Sequence, residues 1–225
     1  MLHRCLLATI GLLASVTVLT AQTPPSQPGS NDAPALQETM EDPQVGDNWT
    51  YELRDDVSGD LKSTITHTIT DISATEISVR LAALGRGTSS YFTYDRAWDV
   101  IDTGAWRYAP NDGTGIRAPL VIGKTWSFKS NNSNTSAGVT SKTTGKSKVT
   151  AKETVTTRAG TFETFKIESS YEARNSNDAT KKYQSELHTW YAPAINHWVK
   201  RTFVSRSEGK VRDRSAAELV EYGRR

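Results

Sequence analysis

The side chains able to do acid–base or metal chemistry are few and scattered. Of the four histidines, His3 falls in an apolar leader, which leaves His67, His188 and His197. His67 stands between Ile65 and Ile69 on an apolar face, the setting of a satisfied, half-buried histidine more than of a base or a ligand. His188 and His197 flank Trp190-Tyr191-Ala192-Pro193 and could meet across a hairpin, but no carboxylate lies beside them at ligand spacing. The segment Asp55-Asp56-Val57-Ser58-Gly59-Asp60 places three carboxylates around a turn. It lacks the twelve-residue frame and closing Glu of a calcium loop and reads as an acidic hairpin tip. A hydrolase would have to assemble its acid and base from Asp95, Asp99, Asp102, His67, His188 and Glu186. No nucleophile elbow, phosphate-binding glycine loop, dinucleotide fingerprint or zinc-protease helix occurs. These residues predict no catalytic site, no metal site and no cofactor.

Binding chemistry is better represented. Six tryptophans (Trp49, Trp98, Trp106, Trp126, Trp190, Trp198) are many for 225 residues, and aromatic rings offer large contact area with a polar edge. Trp49 and Trp126 recur at matching places in the chain and read as core. Trp106 with Tyr108, and Trp190 with Tyr191, are the candidate ligand-binding residues.

The elements that would position them are strands. Trp49, Tyr51 and Leu53 alternate with polar residues, as do Ile65, His67 and Ile69, then Ile77, Val79 and Leu81. Later runs repeat the period of two in Trp126 and Phe128, Phe165 and Ile167, Leu187 and Tyr191, Val199 and Phe203. Turn signals such as Ser58-Gly59, Asp112-Gly113, Ala159-Gly160 and Glu208-Gly209 separate them. A motif also repeats: Val45-Gly46-Asp47-Asn48-Trp49-Thr50-Tyr51 returns 77 positions later as Ile122-Gly123-Lys124-Thr125-Trp126-Ser127-Phe128. The expectation is an all-β, antiparallel fold with strongly curved sheets, half-barrel or sandwich-like, built from two related units at 45–121 and 122–225. The polar stretch Ser130–Lys148 reads as a long hairpin or a flexible loop.

The two ends of the chain are of another kind. Residues 1–21 have a short basic start, an apolar middle and a small residue before Gln22, the form of a secretory signal peptide. Its uncharged run from Cys5 to Ala21, 17 residues long, is at the lower limit for spanning a bilayer, so no stable transmembrane span is expected after cleavage. Cleavage would remove Cys5, the only cysteine, leaving the fold to its core alone. Residues 22–44 hold five of the eight prolines with no apolar periodicity and read as a disordered linker. A formal net charge of +2 gives no ground for a nucleic-acid partner. It conceals an acidic front, nine carboxylates against Arg54 alone over 22–60, and a basic end over 198–225. The two could attract each other within the fold, or the basic end could touch an anionic surface.

Gly46 to Tyr51, Pro119-Leu120-Val121-Ile122-Gly123-Lys124-Thr125-Trp126, Ala159-Gly160-Thr161-Phe162-Glu163-Thr164-Phe165-Lys166-Ile167 and Trp190-Tyr191-Ala192-Pro193 carry a family resemblance. Through them the chain resembles uncharacterised exported proteins of Gram-negative bacteria with a domain of unknown function, sometimes labelled TapB-like. After Pro193 this sequence reads Ala194-Ile195-Asn196-His197 where a glycine would be expected. The resemblance implies an envelope or periplasmic location and an all-β fold, and it brings no catalytic residues. The expected function is non-enzymatic: an exported periplasmic β domain that binds a lipid, another apolar or amphipathic envelope ligand, or an envelope protein. An envelope hydrolase and a purely structural or adhesive surface protein are the alternatives.

Overall fold

The computed structural model describes residues 40–178 and 180–224. The expected signal peptide at 1–21 and most of the expected linker at 22–44 therefore lie outside the described residues. The alternating segments form strands β1 (Asn48–Asp55), β2 (Leu61–Ile72), β3 (Glu76–Ala83), β4 (Ser89–Asp95), β5 (Val100–Asp102) and β6 (Arg107–Ala109). There follow β7 (Thr125–Asn134), β8 (Val139–Thr157), β9 (Gly160–Asn175), β10 (Lys182–Ala192), β11 (His197–Ser207) and β12 (Lys210–Gly223). A single 3-10 turn, Pro193–Ile195, separates β10 from β11.

Each strand pairs antiparallel with its neighbours in sequence, and β1 also pairs with β12, Trp49 opposite Tyr222 and Leu53 opposite Ala217. The sheet is thus a closed barrel, which corrects the half-barrel or sandwich expectation. Alternation says which face of each strand is buried; whether the first and last strands meet depends on accumulated twist, and closure removes both edges at once. The acidic front and basic end do attract: Arg224 donates to buried Asp47 with Nε to Oδ1 at 3.0 Å and also holds the Asp42 carbonyl. The polar stretch 130–148 is an ordered hairpin, β7 running from Thr125 to Asn134 and β8 returning from Val139.

The repeated motif makes one turn twice. Gly46 and Gly123 have φ of 97° and 92°, a region open to glycine and strained for other residues. Each glycine N–H donates to a strand carbonyl, Ile69 and Val149 respectively, and each of those residues donates back, to Asp47 and Lys124. The boundary at 122 falls between β6 and β7, with six strands on either side. The tryptophans of the two motifs differ: Trp49 is fully buried, whereas Trp126 is half-buried, a correction to its reading as core.

One end of the barrel is solid. Trp49 stacks on His197 at 4.4 Å between ring centres, and Trp98 meets both rings edge-on. Ile69, Ile77, Val79, Phe162, Val199 and Leu219 fill the space around them. Met40, whose N–H bonds the Ala194 carbonyl at 2.7 Å, caps this end and is wholly buried. Met40, five residues before the expected boundary at 45, thus packs as part of the folded body.

Candidate functional site in the open half of the barrel

Eight strands close a barrel just wide enough for side chains to fill. Twelve leave room, and here the room lies in the half away from Trp49. On β7 to β10 the inward positions of this half are small and polar: Ser130, Asn132, Thr143, Ser147, Ser169 and Ser185 are all buried. The lysines of the same stretch, Lys142, Lys146 and Lys148, alternate to the exposed face. Ser147 and Ser169 share a hydrogen bond at 2.7 Å, and Asn132 Nδ2 donates to Thr143 Oγ1 at 2.8 Å. Such short side chains cannot meet across the barrel. A cavity of about 490 Å³ remains, walled by the rings of Trp106, Tyr108, Tyr171 and Tyr183 and by Asp112. That volume is within the usual range of small-molecule sites, on the order of 300–1,000 Å³.

Close approach keeps this wall in shape. A Cβ on Gly145 would lie 2.4 Å from Phe128 Cζ and 2.6 Å from Tyr171 Cβ, so only glycine lets both rings lie over β8. Burial pushes the Tyr108 and Tyr171 hydroxyls up to about 12, and both remain neutral. Burial raises Asp112 too, against the hydrogen bonds it accepts from Thr114 and from the Val100 N–H.

A second cavity of about 250 Å³ lies in the same half, between β1, β2 and β10 to β12. Leu53, Ile65, Leu187 and Phe203 line it with Arg201 and His67. Arg201 follows Val199 and precedes Phe203 at a spacing of two, so the strand turns it inward with them. Its guanidinium lies 4.8 Å from the Trp198 ring centre. The Nε is sealed from solvent with no hydrogen-bond partner, as is the Nδ1 of His67. Both residues are only half-buried by area because their remaining atoms face the cavity. Burial first, and then Arg201, lowers His67 to about 3, so its ring is neutral. His197 is likewise held well below its ordinary value, by burial. The Tyr51 hydroxyl donates to the Trp198 carbonyl at 2.9 Å and so accepts from His197 Nδ1 at 2.6 Å.

The residues singled out in the sequence divide. Trp106 and Tyr108 line the larger cavity. Trp190 and Tyr191 do not line either cavity: Leu187 and Thr189 take the inward positions of β10 and a register shift follows Trp190. The Trp190 ring lies instead between the ammonium groups of Lys166 and Lys200, with its N–H on Glu153. Tyr191 bonds Asn196 at 2.8 Å. His188 and His197 do not meet across their hairpin. His188 sits opposite Thr202 and against Trp190, while His197 is in the core with its ring 6.0 Å from that of His67. Among the described residues no cluster of three His, Cys, Asp or Glu could hold a metal. The carboxylates considered for catalysis have structural partners. Asp99, buried and pushed up to about 6 by that burial, binds the Gly115 N–H and Arg117, and Asp95 accepts from the Ala97 and Asp99 N–H groups and from Asn111. Glu186 pairs with Arg206. Asp55 accepts from the Ser58 and Val57 N–H groups at the β1–β2 tip, which with Lys62 lower it to about 2. Sequence reasoning missed Arg201 and Tyr171, although the inward period of β11 was visible in Val199 and Phe203.

Comparisons with known proteins agree with this architecture. Residues 124–201 match the family described as DUF3108-like. A candidate exported protein with a YmcC-like fold from Bacteroides fragilis NCTC 9343 superposes with a TM-score of 0.52 at 12% identity, over 84% of this chain and 100% of that one. A candidate lipoprotein from Parabacteroides distasonis ATCC 8503 gives 0.51 at 12% identity, over 83% and 100%. At that identity the likeness is one of fold. No curated protein matches the chain. Over residues 124–201 the chain is thus similar to the DUF3108-like family, and it shares its fold with a candidate exported protein and a candidate lipoprotein, in keeping with the family resemblance of its sequence motifs.

Proposed function

We propose that this is a non-enzymatic protein of the cell envelope or periplasm that holds an apolar or amphipathic ligand inside the open half of its barrel. The observation that carries the reading is the cavity of about 490 Å³ walled by Trp106, Tyr108, Tyr171 and Tyr183. Burying apolar ligand surface there is favourable by about 25 cal/mol per Å², while the hydroxyls between the rings supply orienting hydrogen bonds. The envelope location rests on the signal-like leader and on the descriptions of the proteins that share the fold. The engagement of Asp95, Asp99 and Glu186 in structural contacts supports binding over hydrolysis.

Native mass spectrometry of the protein purified from envelope fractions, followed by organic extraction, tests the reading. The expected result is an adduct that organic solvent releases. A bare protein that also fails to take up long-chain amphiphiles would overturn it.

A further inference from the structure

Arg201 is a cation enclosed in the barrel with no counter-ion among the described residues. It stands on β11 opposite Thr189 of β10 and Ala217 of β12, neither of which can neutralise it. Among the described residues no carboxylate lies within ion-pair distance of its guanidinium. Asp112, which acts on it from farther off, already accepts bonds from the Val100 N–H and from both the N–H and hydroxyl of Thr114. Contact with the Trp198 face offsets part of the lost hydration. It leaves the planar donor fork free on the cavity side, and a buried charge without a partner is costly. His67, neutral and with its sealed Nδ1 also lacking a hydrogen-bond partner, lines the same cavity. Around these two polar groups the wall is apolar: Leu53, Ile65, Leu187 and Phe203.

We infer that the smaller cavity of the same half receives the charged end of the ligand: the ligand carries an oxyanion head, a carboxylate or a phosphate, which Arg201 grips inside the barrel, while the adjoining hydrocarbon lies against Leu53, Ile65, Leu187 and Phe203. The guanidinium suits this head because its parallel N–H groups match two oxygens of one oxyanion. An uncharged amphiphile of the same length would leave the guanidinium unpaired. The inference rests on the binding function proposed above and specifies its ligand.

The test compares three chain-matched probes, dodecanoate, dodecyl phosphate and dodecanol, titrated into the delipidated protein with Trp fluorescence and calorimetry as readouts. At least one anionic probe is expected to bind about tenfold or more tighter than dodecanol. The tighter of the two anions identifies the head. Arg201→Gln should abolish that preference, bringing the three probes to similar affinities, and Arg201→Lys should restore only part of it. The comparison of probes on the unmodified protein stands even if Arg201→Gln fails to fold. Equal binding of all three probes overturns the role of Arg201 and leaves the cavity reading intact. Binding of none overturns the cavity reading and this inference with it.

Discussion

The two halves of this barrel are built from the same strands yet solve opposite problems. In the half around Trp49, large rings and branched side chains meet across the axis, with Trp49, Ile77, Val199 and Leu219 wholly buried. In the other half, β7 to β10 turn serines, threonines and an asparagine inward, and two cavities remain. The first half anchors the fold, since close packing of apolar groups is the main source of stability. The second spends little on its own stability and keeps its inner surface available. Packing density, not strand pairing, separates the two: the hydrogen-bonded ladder of β8 and β9 runs from Ser141–Asn175 at the open end to Thr157–Gly160 at the closed one.

That contrast can be broken at several points. Trp49→Ala should have the largest effect, a loss of about 3–5 kcal/mol in denaturant unfolding, because its space cannot collapse between His197 and Trp98. Tyr108→Ala in the open half should cost well under half of that in the same assay; a comparable loss would mean that the open half is a working core. Acid should act mainly through the buried histidines. His67 titrates at about 3 in the fold against about 6.5 in the unfolded chain. The unfolded chain therefore binds the proton first, and stability complete above pH 6.5 is lost as pH falls toward 3. Its neighbours Tyr51, His197 and Arg201 supply no compensating negative charge. The loss through His67 alone at pH 4 should be roughly 2 kcal/mol, allowing for the half of the ring that faces the cavity. In His67→Gln the slope of unfolding free energy between pH 6 and 4 should fall; an unchanged slope would refute the assignment.

Smaller effects sharpen the comparison. Gly145→Val must displace Phe128 or Tyr171 and should cost about 1–3 kcal/mol, while shrinking the larger cavity enough to weaken any bound amphiphile. A variant that lost stability but held its ligand as tightly as before would separate that wall from the binding site. Arg206→Ala removes only an exposed pair with Glu186 and should change the unfolding midpoint by less than about 1 kcal/mol.

Much of this was legible in the residues. The period of two placed seven of the twelve strands, β1 to β3, β7 and β9 to β11, and the repeated Val45-Gly46 and Ile122-Gly123 motifs do make equivalent turns with equivalent backbone bonds. Trp106 and Tyr108 stand in the wall of the larger cavity. Trp190 and Tyr191 do not, because facing on β10 follows Leu187 and Thr189 and then shifts register, a change no composition signals. The polar stretch Ser130–Lys148 reads in sequence as a long hairpin or a flexible loop; it is the hairpin, and its hydroxyl side lines the interior while its lysine side meets solvent, a division that composition does not show. Arg201 lay on an inward face that Val199 and Phe203 already marked; its isolation from carboxylates depends on β1, β2 and β12 and was invisible along β11.

Sequence alone determined that this chain makes antiparallel strands, which face of most of them is apolar, and where its leader, linker and charged ends lie. Those properties are local, set by side-chain period, turn chemistry and composition. Only the tertiary structure decided that β1 meets β12, that one half of the barrel fills and the other stays open, and that a guanidinium is enclosed with no counter-ion among the described residues. Each of these depends on side chains far apart in the chain meeting or failing to meet across a closed space, and volume across an axis is not written in any one strand.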